Sequence, residues 1–185
     1  MLTQTQLELE LAGIADRLER RIAFTALLTA AFEELGFLPP VIVGGQAVEF
    51  YTSGGYATAD IDVVASSEAL DTILAAWGFH KSGRHWMHDD LSIAIEAPGG
   101  RLEGERARTT QVRMADGYAL VIGVEDLIVD RMCAYVNWKS ASDKRWAAIL
   151  LHLNRPRVDQ EYLLRRAGIY GVKEEVEELL QDPGP

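Results

Sequence analysis

Hydrophobic residues recur at helical spacing through residues 3–36: Leu7, Leu11, Ile14, Leu18, Ile22, Leu28 and Phe32, with charged residues in the gaps. Such a period puts one apolar stripe on a helix. The pattern predicts a single long helix, stopped by Gly36 and by Pro39-Pro40. The rhythm then changes. Val41-Ile42-Val43 is a short apolar run ending at Gly44-Gly45, which predicts a buried strand, and Gln46 to Tyr51 predicts a short helix ended by Gly54-Gly55. Ala59 to Ala65 reads as a second strand. Its period of two sends Ile61 and Val63 to one face and Asp60 and Asp62 to the other. Ser66 or Ser67 caps a helix running to the region of Trp77.

Phe79 to His88 predicts an edge strand or the entry to a hairpin. Leu91 to Glu96 alternates and predicts a central strand, stopped by Pro98-Gly99-Gly100. Thr109–Met114 and Tyr118–Ile122 flank Asp116-Gly117, a hairpin signal. From Val124 the pattern is helical, over 124–138, 141–154, 159–168 and 172–181. The fold class this predicts is α/β (α+β): a mixed sheet flanked by helices, with a long N-terminal helix and a C-terminal helical bundle. The expected division is 1–36 for the N-terminal helix, 37–123 for the α/β core and 124–185 for a helical region packed on that core.

Composition narrows the function classes. The 185 residues, 48% of them apolar, suffice for one full core. A net charge of −10 argues against a general nucleic-acid binder. The acidity is concentrated at the ends: residues 1–36 carry six acidic and three basic side chains, and residues 171–185 carry five and one. A phosphate-rich substrate can still meet a local positive patch, and Arg101, Arg106, Arg108 and Arg113 fall in one stretch. The single cysteine, Cys133, excludes an internal disulfide. The N-terminus lacks a signal-peptide pattern, and no apolar run approaches the ~20 residues of a membrane span. The expectation is a cytoplasmic protein with no membrane contact.

Three features carry chemistry. Strand–Gly44-Gly45–helix lets backbone amides come close to an anion at a helix start, typically a phosphate; the same pair also suits a plain tight turn. Asp60 and Asp62 share a strand face at a core edge. Their mutual repulsion and burial are both relieved by a divalent cation, and Mg²⁺ or Mn²⁺ suits carboxylate oxygens; the alternative is a solvent-facing pair. Glu96 ends its strand and can stand beside them if the strands are neighbours, as a further ligand or as the base that takes a proton from an attacking hydroxyl. Otherwise it faces solvent.

These residues stand in the order of a known family. Val41 to Val64 (VIVGGQAVEFYTSGGYATADIDVV) resembles the core of the nucleotidyltransferase superfamily: an apolar strand, Gly-Gly, a helix, an Asp-x-Asp strand, then a third acidic residue on a later strand. Thr58, before the Asp pair, matches the Thr-x-Asp-Ile-Asp form of small bacterial members. Residues 124–150 look like the helical half of small bacterial nucleotidyltransferase-like proteins, including those related to abortive-infection and toxin–antitoxin transferases. The resemblance spans roughly residues 37 to 165. It implies Mg²⁺, a nucleoside triphosphate, Asp60, Asp62 and Glu96 as catalytic and metal residues, and Gly44, Gly45, Thr58 and Arg131 as nucleotide-binding ones. Abortive-infection-type transferases commonly carry a lysine on the first tail helix. Arg131 stands at the equivalent position.

Arg131 is also singled out by its surroundings. Leu127, Ile128, Tyr135 and Trp138 share its helix face, and a guanidinium in an apolar stripe needs an anionic partner. That partner is a bound phosphate, or a clamp to Asp143 or Glu125. Other candidates are weaker. His80, His85 and His88 cluster without the spacing of a helical zinc pair; Trp86 suits packing more than base stacking; Cys133 suits burial.

Two readings follow. In the first, the chain transfers a nucleotidyl group from a nucleoside triphosphate to an acceptor that is an RNA end, a protein side chain or a small molecule. In the second, it is a catalytically inactive nucleotide-sensing or toxin–antitoxin-type interaction module, whose acidic terminal helices dock a protein partner or a second copy of the chain. An open cleft where Asp60, Asp62 and Glu96 meet beside Gly44-Gly45 favours the first; a cleft filled by side chains favours the second.

Overall fold

The computed structural model describes residues 1–99, 101–115 and 117–181. Among these, the helices are α1 (Gln4–Ala12), α2 (Arg17–Glu34), α3 (Gly44–Tyr51), α4 (Ser67–Ala76), α5 (Val124–Trp138), α6 (Ala141–Asn154), α7 (Gln160–Tyr170) and α8 (Lys173–Gln181). The strands are β1 (Val41–Ile42), β2 (Ile61–Val64), β3 (His80–Ser82), β4 (His85–His88), β5 (Ile93–Glu96), β6 (Thr110–Met114) and β7 (Gly117–Val121). They form one sheet in the order β3-β4-β5-β2-β1-β7-β6. The sheet is mixed: β2 runs parallel to β5 and β1 parallel to β7, while the other neighbours are antiparallel. The α/β architecture expected from the sequence is present, and β5 is an interior strand as its alternation requires. Of the hairpin signal between β6 and β7, Asp116 lies outside the described residues.

The N-terminal segment departs from expectation. It is two helices, not one. Gly13 caps the end of α1, and Asp16 accepts from the Glu19 amide at 2.8 Å to start α2. Glycine weakens helix continuation and aspartate is a strong N-cap, so the chain breaks between them. The apolar rhythm runs through the break because Leu7 and Leu11 on α1 and Ile22, Leu28 and Phe32 on α2 all bury into the same core.

One face of the β4-β5-β2 region is apolar. Ile61, Val63, Ile93, Ile95 and Trp86 are buried there. Phe24 of α2 packs edge-on to Trp77 and against Phe79, which closes this layer. Strand alternation then fixes the opposite face: Asp62 on β2, Glu96 on β5 and His85 on β4 all point away from that core. The C-terminal helices are joined to the rest by a buried carboxylate, Asp126, which accepts from the Tyr162 hydroxyl (2.8 Å), Arg166 Nε (2.7 Å) and the Glu105 amide (3.3 Å). No helix among the described residues is long and apolar enough to cross a membrane.

Candidate active site

The parallel register of β2 and β5 sets Asp62 directly opposite Glu96. Residues opposite each other on neighbouring strands share a face, so the two carboxylates are neighbours by backbone geometry alone. Asp60 lies just before β2. Its carboxylate, that of Glu96 and the His85 imidazole each offer an atom within 4.8 Å of the others.

Gly44 and Gly45 form the first turn of α3, whose preceding residue Val43 is bonded to β2 through the Asp62 carbonyl at 2.9 Å. Gly44 has φ of +53°, a conformation that side-chain-bearing residues rarely adopt. The Gly45 amide donates to Asp62 Oδ2 at 2.8 Å, so Asp62 occupies the helix start where an anion is favoured. Burial, and next the charge of Asp60, push the Asp62 carboxyl up to about 6 despite the opposing amide bond from Gly45.

Thr58 and Asp60 are fixed from beneath. Thr58 Oγ1 donates to Asp60 Oδ1 at 3.1 Å. Arg21, buried within α2, donates to the Thr58 carbonyl at 3.2 Å and the Ala59 carbonyl at 2.7 Å, and reaches Gln46 Oε1 at 3.0 Å and Glu49 Oε2 at 3.4 Å. Burial holds the Arg21 pKa below that of an ordinary arginine, an effect Arg17 reinforces. The sequence pattern treats Arg21 as one of the polar residues between apolar ones; only the tertiary contact reveals its role under the Asp60 loop.

His85, one of the weaker sequence candidates, stands between Asp60 and Glu96. Its Nε2 lies 3.1 Å from Glu96 Oε2 and 3.5 Å from Asp60 Oδ2. Arg84 Nε lies 3.1 Å from the other Glu96 oxygen. His80 is exposed, and His88, buried, alternates to the other side of β4 from His85. The alternation of His85-Trp86-Met87-His88, with Trp86 inward, was the signal that would have separated His85 from its neighbours. Two carboxylates and one imidazole within this distance form a donor set that fits a divalent cation.

A cleft of about 600 Å³ opens beside this cluster and shares Glu96 with it; Gly44, Gly45, Asp62, Arg84, Arg101, Arg131 and Trp138 also line it, and Asp60 and His85 do not. Trp138 is 80% exposed at its rim. Arg131 reaches the cleft wall with its donors engaged: Nη1 to Asp143 Oδ1 at 2.9 Å, Nε and Nη2 to Asp130 Oδ2 at 3.0 and 2.5 Å. Burial alone would lower its pKa, but the two carboxylates outweigh it and hold the guanidinium above its ordinary value. Glu125, the other partner considered for Arg131, instead accepts from the Asp159 amide at 2.9 Å. The four-arginine stretch does not form one patch on the cleft. Arg106 is spent on the Pro39 carbonyl, Arg108 on Asp159, and Arg113 is exposed on β6 away from the cleft lining, which leaves Arg101 on the cleft wall. Trp86 is buried, with Nε1 bonded to Asp71, and is a packing residue.

This is the nucleotidyltransferase-like fold. The chain matches no protein-family model and no curated protein by sequence. Among solved structures, it is similar to an antigenic nucleotidyltransferase-like protein from Paracoccidioides brasiliensis, with a TM-score of 0.57 at 13% identity over 90% of this chain and 93% of that one. It is also similar to the antibiotic-resistance factor ANT(2'')-Ia, with a TM-score of 0.53 at 14% identity over 96% of this chain and 97% of that one.

Proposed function

We propose that the chain is a divalent-metal-dependent nucleotidyltransferase, which transfers a nucleotidyl group from a nucleoside triphosphate to a hydroxyl-bearing acceptor. One observation carries this reading: Asp62 and Glu96 stand opposite each other on the lining of an open cleft that also includes Gly44-Gly45, and Asp60 lies close to Glu96. Here two of the acids line an open cleft, and Asp62 retains a proton affinity that a cation would relieve.

In this reading Asp60, Asp62 and Glu96 hold Mg²⁺ or Mn²⁺, and the bound cation supplies Lewis-acid charge to the phosphate oxygens. Gly44 and Gly45 put the α3 start on the cleft lining; the Gly45 amide is held by Asp62, and the triphosphate would reach it once Asp62 turns to the cation. Thr58 keeps Asp60 oriented. Arg101 and Arg84 supply positive charge on the cleft wall. Arg131, already clamped between Asp130 and Asp143, holds the wall in shape and contributes a charge balanced by its own partners.

The test combines binding and turnover. Each of the four common nucleoside triphosphates is added with Mg²⁺ or Mn²⁺, and the melting temperature is followed together with pyrophosphate release in the presence of RNA, protein and small-molecule acceptors. At least one triphosphate should stabilise the protein in a metal-dependent way that Asp60→Ala/Asp62→Ala abolishes. Equal response of the wild type and the double variant would sink the reading.

A further inference from the structure

We infer that His85 is a metal ligand, and that through it the site prefers an imidazole-binding dication such as Co²⁺ or Zn²⁺ over Mg²⁺. The inference rests on the metal site of the reading above and adds to it a residue and a selectivity.

The argument starts from which atoms are already held. Asp60 has one oxygen, Oδ1, bonded by the Thr58 hydroxyl at 3.1 Å. Glu96 has one oxygen, Oε1, against Arg84 Nε at 3.1 Å. These contacts act on the outer atom of each carboxylate, as the orienting neighbours of metal ligands do. The two remaining oxygens, Asp60 Oδ2 and Glu96 Oε2, both face His85 Nε2, at 3.5 and 3.1 Å. One imidazole N–H cannot bond well to both, and 3.5 Å is long for a hydrogen bond. Ligands that share one cation at about 2.1 Å lie about 3.0–3.4 Å apart in octahedral or tetrahedral arrangements. The observed spacings sit close to that range.

The position of His85 is set by the sheet. It pairs with Glu96 across β4 and β5, and the same register sets Trp86 against Ile95 on the buried face. Sliding β4 by one residue would bury His85 and expose Trp86, so the packing of Trp86 fixes the imidazole at the site. The selectivity follows from ligand chemistry. Mg²⁺ takes oxygen donors and keeps much of its water, whereas imidazole suits the later first-row metals.

The experiment uses the full chain, loaded with Mn²⁺ with and without a non-hydrolysable nucleoside triphosphate. Pulsed electron paramagnetic resonance reads ¹⁴N coupling to the bound ion, and calorimetry reads the affinity for Mn²⁺, Co²⁺, Zn²⁺ and Mg²⁺. In the wild type, nitrogen coupling is expected. His85→Gln should lose the coupling and weaken Co²⁺ and Zn²⁺ binding about tenfold or more, as loss of a ligand must cost at least what loss of its supporting neighbour does. Mg²⁺ affinity should change by less than about twofold, and far-ultraviolet circular dichroism should show the variant folded. His85→Asn is the second variant if His85→Gln misfolds. Mn²⁺ bound at Asp60 and Glu96 without nitrogen coupling, or unchanged affinity in His85→Gln, overturns the inference and leaves nucleotidyl transfer standing. Nitrogen coupling with no pyrophosphate release from any triphosphate does the reverse. No metal bound at all overturns both.

Discussion

A methyl group on Gly44 would fall 2.5 Å from Asp62 Oδ2. The glycine and the aspartate are therefore fitted to each other: the missing side chain makes room for the carboxylate that caps α3. Gly44→Ala meets two costs, the positive φ and the displaced Asp62. It should lower stability by about 1–2 kcal/mol through backbone strain alone, and should weaken Mn²⁺ binding in calorimetry. Gly45→Val is the less clean probe. A Cβ there lies 2.9 Å from Thr58 Oγ1, so it would disturb Thr58 and Asp60 as well as any bound phosphate.

Asp62→Asn should stabilise the metal-free protein at neutral pH. The folded Asp62 titrates near 6, above its usual value of 3.8, so the folded state binds this proton more tightly than the unfolded state. The contribution of Asp62 to stability is then least favourable above pH 6 and improves as pH falls towards 4. Asparagine removes the penalty, which is bounded by about 3 kcal/mol for a shift of this size. Urea denaturation with chelator present should show the variant more stable at pH 7.5 and the gap closing by pH 4.5, while metal affinity falls.

The clamp around Arg131 makes a stability prediction. Asp143 and Arg131 are both about four-fifths covered, and Asp130 is more open. Arg131→Ala strands two carboxylates and should cost about 3 kcal/mol in chemical denaturation, at the low end of the range for breaking buried pairs. Arg131→Lys should recover less than half, since a point charge cannot reproduce the three donors that span both carboxylates. Triphosphate affinity, read below the melting point of each variant, should change by less than about threefold.

Asp126 makes a second. It is 1% exposed and is the shared acceptor for Tyr162, Arg166 and Glu105. Asp126→Asn leaves Arg166 without its counter-charge and should cost about 3–5 kcal/mol. Hydrogen exchange should show the loss first in α7 and in residues 101–108.

Much of the fold was legible in the sequence. The C-terminal helices follow the apolar period to within about two residues, because amphipathic helices on a core show their period clearly. The shared face of Asp62 and Glu96 was legible because two short strands alternate without interruption, whereas Asp60, expected on the same strand as Asp62, stands just before β2. The break at Gly13–Asp16 was hidden, since α1 and α2 present one unbroken apolar stripe to a common core. Arg21 was hidden for a different reason: a buried arginine that bonds to carbonyls has no local signature. His85 was half visible. Its alternation was in the sequence, but its register against Glu96 depends on how β4 pairs with β5, which local pattern does not encode.

Asp60, His85 and Glu96 reach one point from the entry to β2, from β4 and from β5, segments that meet only when the sheet has assembled. An ion bridging them has no comparable site on the unfolded chain. Its binding energy is then added to the stability of the whole sheet, about 2.7 kcal/mol at a hundredfold excess over the dissociation constant. Cellular metal supply would in that case set not only whether the site is loaded, but how long the chain survives proteolysis.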